Sequence, residues 1–131
     1  MLSNFFSTPE KILPSQLNET SYYHADLNET TAYEFLKNKP YGSFLFRPSS
    51  QQDKLTFSVI YIKDNQPKVV HCRFILLDDG TLQQPNNQGE ILAEYESIPT
   101  FLRSFATRNN LALQPLDNAT RDSSPQIFSG G

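Results

Sequence analysis

Three runs with a two-residue apolar alternation, set between two stretches with helical spacing, constrain the fold of this chain most. GSFLFR at 42–47 places Phe44 and Phe46 on one face and Leu45 and Arg47 on the other. Pro48 ends the pairing and holds Arg47 extended. A second run, KLTFSVIYI at 54–62, turns at Asp64-Asn65-Gln66-Pro67, and a third, KVVHCRFILL at 68–77, closes at Asp78-Asp79-Gly80. Ahead of them, Asn28 caps a helix predicted to Asn38, with Ala32, Tyr33, Phe35 and Leu36 as its apolar stripe and Pro40 as its stop. Behind them, Ser97 caps a second helix, with Ile98, Phe101, Leu102, Phe105 and Ala106 on one face. Asn109 and Asn110 end that helix. The stretch 83–94, with Pro85, Asn86, Asn87 and Gly89, reads as a polar loop. This order predicts an α+β fold, a central antiparallel three-stranded sheet flanked by two helices.

A length of 131 residues suits one domain. Residues 1–20 and 117–131 are rich in Ser, Thr, Asn and Pro without a sustained period, so they are expected to be mobile tails around a folded unit at 21–116. Hydrophobic residues make up only 37% of the chain, and 19 amides (ten Asn, nine Gln) fill the shortfall. Sixteen aromatics supply the buried surface for one small core. Cys72 is the single cysteine and excludes an intramolecular disulfide. The N-x-[ST] sequons at Asn18, Asn28 and Asn118 follow no apolar signal segment, and no stretch has the apolar length of a membrane span. A reducing, cytoplasmic compartment is expected.

The adjacent His71 and Cys72 invite a cysteine phosphatase, but position 78, where its phosphate cradle requires Arg, is Asp. Neighbours on a strand also point to opposite faces, so the two cannot form a dyad. Two His and one Cys are too few for a metal site, and no nucleophile elbow, phosphate loop or dinucleotide fingerprint occurs. No enzymatic activity, cofactor or metal is expected.

Charge is segregated. The net charge of −3 divides into +5 across residues 37–73 and −8 over the remainder. A generic binder of nucleic-acid backbone would run basic throughout. Within the basic stretch Arg47 shares a strand face with Leu45, where an unpaired guanidinium is costly. The ordinary reading is a strand-end arginine reaching water or a carboxylate. Against it stand the hydroxyl-rich and amide-rich loop Ser49-Ser50-Gln51-Gln52, the same-face pair His71 and Arg73, and the polar pair Thr56 and Ser58. An arginine beneath such a loop, flanked by a second arginine and a histidine, makes a receptor for a dianionic phosphate.

GSFLFRPSS at 42–50 resembles the G-x-F-L-x-R-x-S signature of Src homology 2 domains, the phosphotyrosine-binding modules. YYHADLNETTAYEFL at 22–36 looks like their opening aromatic and first helix, with Tyr22 where Trp is usual. HCRF at 71–74 and IPTFLRSF at 98–105 are similar to the family's pocket segment and second helix. The resemblance implies that Arg47 grips the phosphate from the pocket floor. It further implies that Ser49, Ser50 and Gln51 supply hydroxyl and N–H donors, Thr56 lines the wall, His71 braces the pocket and Arg73 lies against the tyrosine ring. Phosphoserine would be too short to reach Arg47.

Glu29 stands where many members place an Arg, which lowers the expected affinity or shifts the contact to Arg73. The long 83–94 segment and the very short 109–116 segment correspond to the two loops that read residues after the phosphotyrosine in the family. Low selectivity there is expected. The partners implied are tyrosine-phosphorylated proteins or peptides, bound by a monomer that contacts neither nucleic acid nor membrane. Two other readings compete. One is a degenerate module binding unmodified protein. The other is a double-stranded-RNA-binding domain of the same element order, which the acids Glu90, Glu94 and Glu96 before the last helix disfavour. The amides and departures from the family pattern suggest a divergent lineage. Bacterial effectors that borrow this domain are one such lineage, with the host cytosol as their place of action.

Overall fold

The computed structural model of the chain describes residues 11–50 and 54–118. Residues 1–10 and 119–131 of the expected tails, and Gln51, lie outside the described residues. Within them, β1 (Ser43–Pro48), β2 (Leu55–Lys63) and β3 (Gln66–Leu76) form the predicted antiparallel core. The sheet itself is larger than the three strands expected. β4 (Leu82–Pro85) and β5 (Ile91–Tyr95) extend it beyond β3, and β6 (Gln114–Pro115) pairs parallel with β1, giving the order β5-β4-β3-β2-β1-β6. The α+β class stands, with six strands instead of three.

The segment 83–94 is therefore a hairpin and not a loop. Asn86 Oδ1 accepts the backbone N–H groups of Gln88 and Glu90, and Gly89 adopts φ +86°, so the turn is built locally. Its strands were not legible because most of their residues are exposed or only partly buried, which leaves no apolar alternation to read. β6 is two residues long and carries no periodic signal.

Helix α1 (Glu29–Leu36) is capped by Asn28, whose Oδ1 accepts the Thr31 N–H at 2.9 Å. Helix α2 (Ile98–Asn109) is capped by Ser97 and ends on Asn110 at φ 49°. The two helices cover opposite faces. Phe44, Phe46, Phe57 and Phe74 pack with Phe101, Leu102 and Phe105 of α2, and Phe101 meets Phe57 and Phe74 with ring centroids 4.9 and 4.7 Å apart. On the other face Leu45 and Ile60 meet Ala32 and Leu36 of α1.

Residues 11–20, expected as tail, belong to the packed unit. Pro14–Glu19 is a 3-10 helix, and Ile12 and Leu17 lie against the larger core. Their two apolar side chains are too few to show a period, yet they bury real surface. Tyr22 then enters the same core between Phe44 and Phe46, and burial pushes its hydroxyl up to about 12. Gly42 permits the closure of β6. At φ +98° a Cβ there would stand 2.1 Å from the Ala112 carbonyl oxygen.

Candidate functional site

The site lies on the α1 face of the sheet, where strand register sorts the polar residues into rows. Arg47 pairs with Thr56, and Thr56 with Arg73, making one row across β1, β2 and β3. Leu45, Ser58 and His71 make the adjacent row. Leu45 thus closes the apolar core under α1 one step before the sheet turns polar. Arg47 is 4% exposed, Thr56 4% and Ser58 fully buried, while Arg73 is exposed.

Among the described residues Arg47 is held without a carboxylate. Its Nε donates to Ser58 Oγ at 3.2 Å, Nη1 to the Pro48 carbonyl at 3.4 Å and Nη2 to His71 Nδ1 at 3.4 Å. These are long contacts to neutral acceptors, and among the described residues no acidic side chain forms an ion pair with it. Ser58 Oγ lies 2.8 Å from His71 Nδ1. A guanidinium can only donate. Ser58 therefore accepts from Arg47 and donates its own O–H to Nδ1, so Nδ1 carries no proton and the neutral His71 holds its proton on Nε2. Burial first, and then the Arg47 charge, push the His71 pKa below its ordinary value. Burial also lowers that of Arg47, while Glu29 raises it and Arg73 lowers it.

A cavity of about 560 Å³ opens over this network, and Arg47, Ser49, Ser50, Thr56, His71 and Arg73 all line it. Of the predicted site residues only Gln51 falls outside the described chain. The Ser49 N–H, expected as a donor to the ligand, instead donates to the Lys54 carbonyl at 3.1 Å and closes the hairpin. Pro48 offers no N–H, so the described loop contributes fewer backbone donors than a hydroxyl-rich sequence suggests.

Three features were missed in the sequence. Ser58 was visible as a polar alternation but not as the link between Arg47 and His71, because that link depends on register. Lys54 lines the cavity beside the loop it closes. The tip of the β4–β5 hairpin, Gln84 to Asn87, forms another wall. Its amide run was legible as a turn, yet nothing local says that the hairpin stands beside Arg47. The result is a concave site with buried and exposed cations, hydroxyls and carboxamides, suited to one compact dianion. Among the described residues no group of three His, Cys, Asp or Glu side chains could hold a metal. Nor, among the described residues, is any helix long and apolar enough to cross a membrane.

The family model of the SH2 domain matches residues 22–95, more than half of the chain, from the opening aromatic to the end of β5. No curated protein matches the chain.

Proposed function

The chain belongs to the SH2 domain family, phosphotyrosine-peptide-binding modules rather than enzymes, and from that premise we propose that it binds tyrosine-phosphorylated proteins through the Arg47 cavity. The observation that carries this reading is the guanidinium of Arg47, buried and, among the described residues, held by long bonds to neutral groups. A phosphate dianion would give its two Nη groups charged acceptors in place of the Pro48 carbonyl and His71 Nδ1. Ser58 would keep Nε in place, and His71 would brace Ser58. Ser49, Ser50 and Gln51 would add donors from the loop, Thr56 would form the wall, and exposed Arg73 would lie along the tyrosine ring.

Depth would select phosphotyrosine. Arg47 lines the cavity and is only 4% exposed, so a phosphoserine side chain would be too short to reach it. Selectivity for the residues that follow would be low. The hairpin tip faces the Arg47 cavity, and only residues 110–113 connect α2 to β6, so little chain remains to build a second pocket. The domain would act as a monomer in the cytoplasm, without a cofactor.

The test is a titration with one tyrosine peptide in phosphorylated and unphosphorylated forms. Tighter binding of the phosphorylated form is expected, and equal affinity for both would remove the reading. A degenerate phosphopeptide library should show weak enrichment after the phosphotyrosine. A dominant residue at any one of those positions would refute the low-selectivity part.

A further inference from the structure

Glu29 is the one carboxylate among the described residues that line the Arg47 cavity, whose cations are Arg47, Arg73 and Lys54. It stands in the first turn of α1, exposed, and among the described residues it makes no ion pair. Its field nevertheless reaches the floor, where it favours the charged forms of both Arg47 and His71. The cavity is thus bipolar, with a cationic floor and mouth and a carboxylate on the α1 wall. A bare phosphate satisfies only the first part and is repelled by the second. A ligand that brings phosphate to Arg47 and a cation to Glu29 satisfies both.

The acidic surround points the same way. Outside residues 37–73 the chain carries −8, including Glu90 beside the hairpin tip, where it accepts from Asn86. A peptide whose flanks are acidic would approach against that field.

We propose that the preferred ligands of this domain are tyrosine phosphopeptides carrying a lysine or arginine next to the phosphotyrosine, with Glu29 as the group that receives the basic side chain. This rests on the phosphotyrosine reading and adds the charge class of the neighbouring residue. Because the pair forms at an exposed wall, its contribution is modest and is screened by salt.

The experiment uses the full chain and four peptides of one sequence. Three are phosphorylated and carry Arg, Ala or Glu on both sides of the phosphotyrosine, and the fourth is the Arg peptide without phosphate. The Arg phosphopeptide should bind about two- to fivefold tighter than the Ala one, as exposed ion pairs do, and the Glu one should bind weakest. In Glu29→Gln the Arg advantage should shrink toward unity while the Ala and Glu phosphopeptides bind as well as before or better. That variant keeps the side-chain length at the helix start, so folding is checked by its unchanged thermal midpoint to within a few degrees. A phosphate-dependent ligand with no preference for Arg over Ala, or an Arg-over-Ala preference undiminished in Glu29→Gln, overturns the proposal and leaves the phosphotyrosine reading standing. Binding without dependence on phosphate overturns both.

Discussion

Replacing Arg47 by methionine separates a binding arginine from a structural one. Among the described residues Arg47 makes three bonds of 3.2 to 3.4 Å, all to uncharged acceptors. Long neutral contacts of this kind each contribute well under about 1 kcal/mol. Against them stands the desolvation of a guanidinium that is 4% exposed and has no carboxylate partner among the described residues. Methionine removes that cost, keeps most of the volume, and leaves Ser58 and His71 bonded to each other. Arg47→Met should therefore lower stability by less than about 1 kcal/mol, or raise it. Binding should respond quite differently. Two charge-assisted bonds to phosphate are lost, so phosphopeptide affinity should fall by about 2–5 kcal/mol, the range for truncating one partner of a buried charge pair. That corresponds to about thirtyfold to several thousandfold in Kd. Urea unfolding and isothermal titration with a phosphotyrosine peptide measure the two quantities on one preparation. A folded variant that keeps its phosphopeptide affinity refutes the assignment of Arg47 as phosphate ligand. A stability loss above about 3 kcal/mol, as when a buried pair is broken, shows instead that the arginine serves the fold.

Gly42→Ala combines a φ of +98° with a Cβ 2.1 Å from the Ala112 carbonyl oxygen. It should cost about 1–3 kcal/mol through the dihedral alone, and the clash should free β6, seen as faster hydrogen exchange at Gln114 and Leu116. Phe101→Ala empties the contact between α2 and the rings of Phe57 and Phe74, so chemical denaturation should show a loss of about 3–5 kcal/mol. The pKa of His71 is depressed in the folded state, so its contribution is complete above its unfolded value of about 6.5 and declines as pH falls through the window below it. His71→Gln should flatten that part of the stability–pH curve, and an unchanged slope would show that the imidazole is not held neutral by burial.

The elements that sequence patterning located are those whose signals are complete within one element. Asn28 and Ser97 cap their helices through their own side chains, and Pro48 stops β1 by lacking an N–H. Phe44 and Phe46 share a face because strand geometry allows nothing else. The hairpin at 82–95 and the two-residue β6 were missed for the opposite reason. They are edge elements with little apolar surface, fixed by a turn and by neighbours far away in the chain. Ile12 and Leu17 were missed because two apolar residues make no pattern, although the core needs them.

Sequence by itself placed Arg47 on the face opposite Phe44 and Phe46, identified the charge segregation of +5 against −8, and brought His71 and Arg73 to one face. Alternation and charge are properties of a few consecutive residues, so they survive without a fold. Tertiary structure decided the rest. Register put Thr56, not Ser58, opposite Arg47, and left Ser58 free to link Arg47 to His71. Packing carried the amides of the β4–β5 hairpin and the carboxylate of Glu29 to the walls of one cavity. Cross-strand neighbours and cavity walls come from segments tens of residues apart, and only the burial of a shared core fixes their positions relative to one another.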